Sequence, residues 1–483
     1  MTSSTDASPT LKRVVSQLSP ISGVGKIRWP QTILLYFVSH GFILASWNAL
    51  YWDDWLVYAN GPTGVEDFFA SCTRCVVPFR SEVEGLLITP GPWLMRVLTF
   101  LFFPLITFFS MQFLRRTGWM REDEIGIVSL LILFLPMYGA RVAHIDFHYS
   151  LSLLIFVLGV WMSLSPRASV RISAVVPIFW SMFTPSFQVF VLVLIAVLSV
   201  RLIRHVDESS LNRSTLIAIL LLGFSPLAHR FLIPIFFPTL RVADGYNTIQ
   251  PAFLMRAVVA SALLVSPLLM LLKRQRLQQA IARESWQLCL GLAILAIGAF
   301  PYLAVGHFAN FSDWILPFLP DESDWNSRHQ LLQPFGFAFI LLAAFKMFGA
   351  RMRYLQIVLL TASVVLNAAT FSGYYLDSIK QSEVITSLET VEAELSGASA
   401  IVIRDDALRY SARGRVIRPF EWSAMFSRAL KRPVSVDSDS LSFCEIASPT
   451  KTVTITSNQG RLKSMLIGRI GLTVEVGDLS LCS

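Results

Sequence analysis

Long apolar runs are the feature that most constrains the fold of this chain. Stretches of about 17–25 residues with almost no charge, long enough to cross a bilayer of roughly 30 Å, recur through its first three quarters. The 483 residues are 54% hydrophobic and only 15% charged, with a mean hydropathy of +0.58. A chain of this composition is too apolar for a water-soluble globule, so we predict a polytopic membrane protein.

A hydropathy window of roughly 19 residues predicts about eleven membrane-spanning helices. Their ranges are 31–50, 92–113, 125–140, 149–165, 172–185, 187–203, 214–229, 256–272, 286–304, 331–348 and 354–371. Only a short segment, Phe183 to Gln188, separates the fifth helix from the sixth. If the two were one long helix, every later link would face the opposite side of the membrane. The predicted fold is an all-α polytopic membrane domain over residues 31–371, which follows an N-terminal tail over residues 1–30 without a cleavable signal.

The placement of Lys and Arg predicts which side of the membrane each link faces. Links on the same side as the N-terminus carry 19 Lys and Arg residues, whereas the much longer opposite links carry 8. Cytoplasmic links hold the excess of positive charge in membrane proteins, so we expect a cytoplasmic N-terminus, in agreement with separate fifth and sixth helices. The first outward loop then covers residues 51–90, and the segment 372–483 also lies outside.

The C-terminal segment differs in composition from the rest of the chain. Polar residues replace the long apolar runs after about Phe371, helical periodicity covers residues 382–396, and short apolar stretches such as AIVIR, TVTIT and LTVEV follow. Short stretches rich in β-branched residues are typical of strands. We predict a small extracytoplasmic α/β domain over residues 372–483, which is large enough for a modest core.

The first outward loop opens with two adjacent acids at the end of an apolar helix. Asn48 to Pro62 reads NALYWDDWLVYANGP, which places Asp53 and Asp54 between two tryptophans. A carboxylate beside a bilayer is costly to desolvate and persists where it has a partner or a task. Repulsion between neighbouring carboxylates raises the pKa of one of them, which makes it a better proton acceptor near neutral pH. The same oxygens can also bind a divalent cation. The alternative interpretation is that the two acids have no function and are solvated by water of the headgroup region.

Other polar side chains gather in the outward links. One link contributes Arg141, His144 and His148, and the link before the tenth helix contributes Arg328 and His329. Arg suits a phosphate through its planar fork of donors, and His is a donor of tunable charge. We therefore predict that these side chains bind a phosphate, while the acids face an acceptor hydroxyl.

A series of membrane helices with an acidic pair just after the first one, in an outward loop of about forty residues, resembles the GT-C class of glycosyltransferases. The resemblance is to its bacterial GtrII-like, polyprenyl-phosphate-dependent members. It implies a base at Asp53 or Asp54 in YWDDW, and a late loop, DWNSRHQLL, that places Arg328 and His329 near the donor phosphate. It further implies a polyprenyl-(di)phosphate sugar donor, a glycan, lipid or protein acceptor, contact with membrane lipids, and location in the bacterial cytoplasmic (inner) membrane.

Two other classes of function remain open. A transporter or flippase for a lipid or sugar predicts charged or broken segments near the bilayer midplane and repeat symmetry, whereas the predicted helices have few central charges and no evident repeat. A non-catalytic assembly protein of polysaccharide synthesis would use the C-terminal domain to bind a partner. Nucleic acid is not an expected partner, because the net charge of +8 comes from clusters in short links and not from a basic stripe with exposed aromatics.

Two further spacings point to metal or disulfide chemistry. His144 and His148 are four residues apart, which permits two metal ligands on one helical face, but the sequence assigns no third or fourth ligand. Cys72 and Cys75 in CTRC have the spacing of a redox or zinc motif, and in an outward loop a local disulfide is the simplest interpretation. No metal site and no cofactor is predicted beyond the divalent cation that the acids can hold.

Overall fold

The structure, a computed structural model, describes the chain in several separate stretches. The described residues are 27–58, 80–204, 209–236, 255, 259, 275–304, 330–348, 352–398, 400–437 and 450–478. The predicted eighth span, residues 256–272, lies outside them apart from residue 259. The pair Cys72 and Cys75 also lies outside the described residues.

Helices form most of the described chain, and most of them fall on predicted spans. In chain order the helices before the sheet are α1 (Trp29–His40), α2 (Phe42–Ala45), α3 (Asp54–Tyr58), α4 (Arg80–Ile88), α5 (Pro92–Thr117), α6 (Glu122–Phe134), α7 (Phe147–Ser163), α8 (Ala168–Ser173), α9 (Val175–Ser181), α10 (Pro185–Arg204), α11 (Ser209–Phe236), α12 (Gln275–Ala304), α13 (Gln333–Phe348) and α14 (Met352–Thr390). Helix α9 ends at Ser181 and α10 begins at Pro185, so the fifth and sixth predicted helices are separate, as the charge distribution predicted.

Three of the described helices are both long and apolar enough to cross a membrane. They are Pro92–Thr117, His144–Ser163 and Tyr354–Thr390, and further apolar helices are shorter, with 10–17 residues. The prediction of about eleven spans is therefore not confirmed. The described residues form a mostly helical chain with three candidate spans and a small C-terminal sheet.

The first predicted span, residues 31–50, ends earlier in the structure than in the prediction. Helix α1 stops before Gly41, and α2 continues only to Ala45. The Ser46 hydroxyl donates a 2.9 Å hydrogen bond to the Phe42 carbonyl, which satisfies a backbone acceptor of the last turn. The residues after Ala45 are therefore irregular, and they form part of the candidate site described below.

Two glycines let α12 and α13 pack closely together. A Cβ atom on Gly291 would lie 2.8 Å from the carbonyl oxygen of Gly336, and a Cβ atom on Gly336 would lie 2.8 Å from that of Gly291. Small residues at such crossings allow the backbones of membrane helices to approach and gain van der Waals contact. This pair of helices belongs to the large apolar core of the bundle, which also includes Phe339 and Leu342.

Helix α14 connects the membrane part to the C-terminal segment without a break. Its 39 residues are about 58 Å long at 1.5 Å per residue, far more than the roughly 30 Å of a bilayer core. The domain boundary that the sequence predicts after residue 371 therefore lies inside a continuous helix. Its last turns bury Asp377, Lys380 and Gln381 against the C-terminal segment.

The C-terminal segment is a small α/β unit, as its composition predicted. Its elements are α15 (Glu392–Leu395), β1 (Ala400–Asp405), α16 (Pro419–Leu430), β2 (Ser435–Asp437), β3 (Thr450–Ser457), α17 (Arg461–Ile467) and β4 (Leu472–Asp478). The strand order is β2-β1-β3-β4, with β1 parallel to both of its neighbours and β4 antiparallel to β3. The core beneath the sheet contains Trp422 and Ile401, and it extends to Leu50 and to Trp55 of the segment predicted as the first outward loop. The unit is therefore packed on that loop.

Candidate functional site

The irregular segments between helices meet at one end of the bundle. Residues 46–53 lie against the turns that connect α6 to α7, and the start of α5 and the middle of α14 complete the meeting point. These parts share a buried apolar cluster of Ile43, Ala49, Tyr51, Trp52, Val142, Ala143, Phe371, Tyr374 and Ala412. We call this region, together with the polar side chains described below, the junction site.

Asp54, the first residue of α3, holds two of these segments through its carboxylate. Its Oδ2 atom accepts hydrogen bonds from the backbone N–H groups of Tyr51 at 3.1 Å and His144 at 3.0 Å, and Oδ1 accepts one from Ile145 at 2.9 Å. The side chain is fully buried. The structure thus joins a predicted acid to the predicted histidine segment, and the contact is to the backbone of His144, not to its imidazole.

Burial has the largest effect on the pKa of the Asp54 carboxyl group. It raises the pKa of Asp54 from 3.8 to about 7, while the Arg96 charge and the backbone N–H groups of His144, Ile145 and Tyr51 lower it. The sequence predicted a raised pKa from repulsion between neighbouring acids, whereas the structure assigns desolvation as the cause. Asp54 therefore exchanges its proton near neutral pH.

Asp53 differs from Asp54 because it is only half-buried, whereas Asp54 is fully buried. The residue before it, Trp52, has a φ of +52°, in the left-handed region that is unfavourable for a bulky side chain. Such a conformation persists only where the surroundings determine it, and it is common at functional sites. The position of Asp53 is therefore set by the packing of Trp52.

Contacts from two parts of the chain hold the ring of Trp52. The ring of Tyr374, on α14, lies 5.8 Å away in an edge-on arrangement. The guanidinium of Arg415, from the C-terminal unit, lies 5.4 Å from the centre of the ring. The hydroxyl of the neighbouring Tyr51 donates a 2.6 Å hydrogen bond to the Tyr374 carbonyl. The loop that carries Asp53 is therefore fixed by both α14 and the C-terminal unit.

Arg96, near the start of α5, is a buried cation in the junction site. Its Nη2 atom donates a 2.8 Å hydrogen bond to the Ala49 carbonyl, and its guanidinium lies 4.9 Å from the centre of the Tyr51 ring. The residue is 2% exposed, and neither Nε nor Nη1 has a hydrogen-bond partner among the residues that the structure describes. Buried donors nearly always have partners, so these two nitrogens suit an anionic ligand.

Arg96 is absent from the site residues that the sequence predicted. The signal that could have identified it is a lone Arg inside an apolar span, at residues 92–113, where a charge is costly unless it has a partner or a task. Its neighbours in the structure come from residues 49–54, which no local pattern in α5 reveals.

His144 approaches the same backbone carbonyl as Arg96. Its Nε2 atom lies 3.3 Å from the Ala49 oxygen, and its Nδ1 atom has no partner among the described residues. The Tyr58 ring packs on the imidazole with 5.6 Å between ring centres. A guanidinium and an imidazole thus converge on one carbonyl, and each has a nitrogen that the described protein leaves uncommitted.

Arg141, which the sequence assigns to a phosphate, is instead bound to the protein's own backbone. Its Nε atom donates to the Tyr138 carbonyl and its Nη2 atom to the Met137 carbonyl, each at 3.0 Å. Its guanidinium also lies 4.2 Å from the Phe103 ring centre and 5.3 Å from that of Phe371. These contacts stabilise the turn before α7, so the geometry favours a structural role for Arg141.

The spacing of His144 and His148 does not bring their imidazoles together as a metal pair. His144 belongs to a short 3-10 turn, and α7 begins only at Phe147. The Nδ1 atom of His148 lies 2.9 Å from the Ile145 carbonyl, whereas His144 faces Ala49. Within the described stretches, no group of three His, Cys, Asp or Glu side chains could hold a metal ion. His148 is half-buried and so remains within reach of a ligand.

A network of buried charges binds the C-terminal unit to α14 beside the junction site. Arg415 donates to Asp377 at 2.6 Å through Nε and to Glu421 at 2.9 Å through Nη1. Burial lowers the pKa of Arg415, but the attraction of the two carboxylates outweighs it, and the pKa lies above its ordinary value. Lys380 of α14 pairs with Asp405 at 2.5 Å. The two parts therefore meet through paired, desolvated charges.

Ion pairs also hold the opposite end of the bundle. Arg115 pairs with Glu122 at 2.8 Å, and Lys346 pairs with Glu124 at 2.8 Å. The sequence assigns these cations to the cytoplasmic side and the junction residues to the outward side. The structure places the two sets at different ends of α5 and α6, and the assignment of sides stays a prediction.

An apolar cavity lies away from the junction site, near the other end of α5. It has an empty volume of about 730 Å³ and is lined by apolar side chains from several helices, among them Phe113, Phe156 and Phe339. Polar atoms contribute almost nothing to its wall. It carries no chemistry of its own, so the junction site and not this cavity is the candidate for a reaction.

Arg328 and His329, predicted to lie near a donor phosphate, are outside the described residues. Comparison of the chain with protein-family models, with curated proteins and with solved structures found no match. The candidate function therefore rests on the chemistry of the junction site.

Proposed function

We propose that this protein is a membrane glycosyltransferase of the GT-C type. It transfers a sugar from a polyprenyl-(di)phosphate donor to a hydroxyl of an acceptor on the extracytoplasmic face. The observation that supports this proposal best is that Asp54, next to the half-buried Asp53 in the chain, lies with the buried Arg96 and His144 at one end of a helical bundle. A base and an anion-binding pair are the groups that such a transfer needs.

Asp53 is the proposed general base. Its carboxylate takes the proton of the acceptor hydroxyl while the acceptor oxygen forms a bond to the anomeric carbon of the sugar. The bond between that carbon and the phosphate oxygen breaks, and the electron pair leaves with the lipid phosphate. Asp53 is chosen over Asp54 because Asp54 is fully buried and both of its oxygens accept backbone hydrogen bonds.

Arg96 and His144 are the proposed ligands of the donor phosphate. The uncommitted Nε and Nη1 atoms of Arg96 supply a charged, planar donor pair, which suits two phosphate oxygens. The His144 ring, whose Nε2 atom faces the Ala49 carbonyl, adds a third donor through Nδ1 when the imidazole is protonated. Negative charge grows on the phosphate as the sugar leaves, so donors held in a desolvated place stabilise the transition state more than the substrate. Arg328, His329 and His148 remain proposed contributors to the same role.

Asp54 is a positioning residue in this proposal. Its carboxylate fixes the start of α3, and hence Asp53, against the segment that carries His144. Its negative charge also balances Arg96 in the absence of a ligand. The proton that Asp54 exchanges near neutral pH lets the local charge adjust when an anionic donor arrives.

The proposal is tested in membranes of cells that make the protein at equal levels. Asp53→Asn keeps the size of the side chain, and Arg96→Lys keeps its charge. The matched control is Asp123→Asn, in the exposed ion pair with Arg121 at the opposite end of the bundle. We expect polyprenyl-linked sugars, measured by mass spectrometry of lipid extracts, to accumulate in the first two variants and not in the control. Unchanged glycans and lipid-linked sugars in all three folded variants would exclude the enzyme.

A further inference from the structure

The C-terminal unit presents an exposed apolar surface on helix α17. Ser464 is fully buried and Met465 packs against the core of the unit. The opposite face carries Leu462, Leu466 and Ile467, which are 68%, 75% and 54% exposed. Three large apolar side chains that share an exposed face mark a surface that meets an apolar partner.

Positive charges surround this surface. Arg461 and Lys463 lie on the same helix, and Arg469 follows it, all three of them exposed. No acidic residue occurs from Arg461 to Gly471. A short helix with large apolar residues beside Lys and Arg is typical of segments that lie in the interface of an anionic membrane. The long Lys463 stem can pass between apolar neighbours and carry its charge to the headgroups.

The position of α17 along α14 places it at the level of the membrane surface. A Cβ atom on Gly468, directly after α17, would lie 3.5 Å from the hydroxyl oxygen of Tyr375. The Tyr375 ring packs on Phe42, a residue of the first predicted span, with 5.8 Å between ring centres. Tyr375 is four residues beyond the predicted end of the last span at 371, which is about 6 Å along a helix. That height lies within the headgroup region of a bilayer.

Hydrogen bonds to α14 also fix the orientation of the segment that follows α17. The carboxylate of Glu383 accepts hydrogen bonds from the backbone N–H groups of Ile470 at 2.7 Å, Gly471 at 2.9 Å and Leu472 at 3.3 Å. These three groups follow α17 directly, so its orientation relative to α14 is set. The exposed face therefore has a fixed orientation relative to α14 and does not depend on a flexible connection.

We propose that α17 is a lipid-contact helix that anchors the C-terminal unit on the membrane surface. Its three exposed apolar side chains enter the interfacial region, and its three cations contact phosphate groups of anionic lipids. Together with the Arg415 network, this contact holds the unit on the first outward loop from two sides. The proposal does not depend on the proposed transferase activity, because it uses none of the reacting groups.

Photo-crosslinking of the full-length protein in vesicles tests this contact. Benzoylphenylalanine replaces Leu466 in one variant and Glu389 in the control. Glu389 is also exposed, but it lies on α14, 18 residues beyond position 371. The vesicles contain phosphatidylethanolamine and phosphatidylglycerol at roughly three to one. We expect at least about a tenfold higher yield of phospholipid adduct at position 466 than at position 389, since only the former lies within the headgroup region.

Equal adduct yields at the two positions, or adducts of position 466 with protein in place of lipid, would overturn the proposal. The double variant Arg461→Glu and Lys463→Glu tests the electrostatic part in the same vesicles. We expect the share of phosphatidylglycerol in the adducts to fall to its share in the vesicle. An unchanged share would show that the cations do not select anionic lipids and would overturn that part.

Discussion

The Asp54 carboxylate accepts a 3.0 Å hydrogen bond from the backbone N–H of His144, ninety residues further along the chain. With the second bond from Ile145, it joins the start of α3 to the turn before α7. Only short elements flank this contact, α3 with five residues and a 3-10 turn with three. The geometry of the junction site therefore depends on one buried side chain.

Replacing Asp54 by alanine tests this dependence. Asp54→Ala leaves three buried N–H groups without their acceptor, and each such loss costs about 1–3 kcal/mol. We expect a loss of roughly 3 kcal/mol or more of stability, measured as a lower thermal unfolding temperature of the purified protein. Asp53→Ala is the matched control, because the half-buried Asp53 should cost less than about 1 kcal/mol. Equal losses in the two variants would contradict the assignment of the positioning role to Asp54.

The raised pKa of Asp54 predicts how stability changes with pH. Burial raises it from 3.8 to about 7, so the folded protein binds a proton between those values that the unfolded chain has released. Stability should therefore fall as the pH rises from about 4 to about 7. The measurement is the unfolding temperature across that range for the natural protein and for Asp54→Asn, which cannot titrate. A slope that is the same in both would show that Asp54 is not its source.

The charge network of Arg415 predicts that the C-terminal unit can be loosened by one change. Arg415→Met leaves Asp377 and Glu421 buried without their cation, and breaking such a pair costs about 3–5 kcal/mol. We expect faster hydrogen exchange at the Trp52 segment, against which the guanidinium packs. Arg404→Met breaks only the exposed pair with Asp406, which contributes about 1 kcal/mol at most. Equal protection of that segment in both variants would refute the coupling.

Two glycine-to-alanine changes test the packing of the bundle. At Gly336 the new methyl group would lie 2.6 Å from a Leu295 side-chain carbon and 2.8 Å from the Gly291 carbonyl oxygen, so the helices must separate. We expect a loss of about 1–3 kcal/mol. At Gly223 the nearest neighbouring atom is 3.9 Å away, and the change should gain up to about 1 kcal/mol from helix propensity. Thermal unfolding in one detergent distinguishes the two, and a stabilised Gly336→Ala would contradict the described crossing.

Composition and periodicity predicted the broad fold because apolar runs and their breaks are local signals. Residues within a few positions predict the break between α9 and α10, and the same holds for the strands from Ala400 onward. The early end of α2 and the unbroken course of α14 could not be predicted in this way. Both depend on contacts with distant segments, such as the burial of Asp377 by the C-terminal unit.

The site was predictable in its residue types but not in its geometry. Asp54 and His144 were both expected to have roles, and they do lie together, yet through a backbone contact. Arg96 could not be linked to them from the sequence, since its partner is the Ala49 carbonyl on a different segment. The expected phosphate ligand Arg141 binds backbone carbonyls instead, which no spacing reveals. The roles of Arg328 and His329 stay predictions.

Release of free polyprenyl phosphate tests the proposed reaction most directly. The purified protein in vesicles receives a total extract of polyprenyl-linked sugars and cell-envelope glycans as acceptors, and mass spectrometry follows the released lipid. We expect release by the natural protein and by Asp123→Asn, and a rate reduced by about 10²–10⁴ in Asp53→Asn, as for loss of a general base. Equal release by Asp53→Asn and the natural protein, or no release by any form, would contradict it.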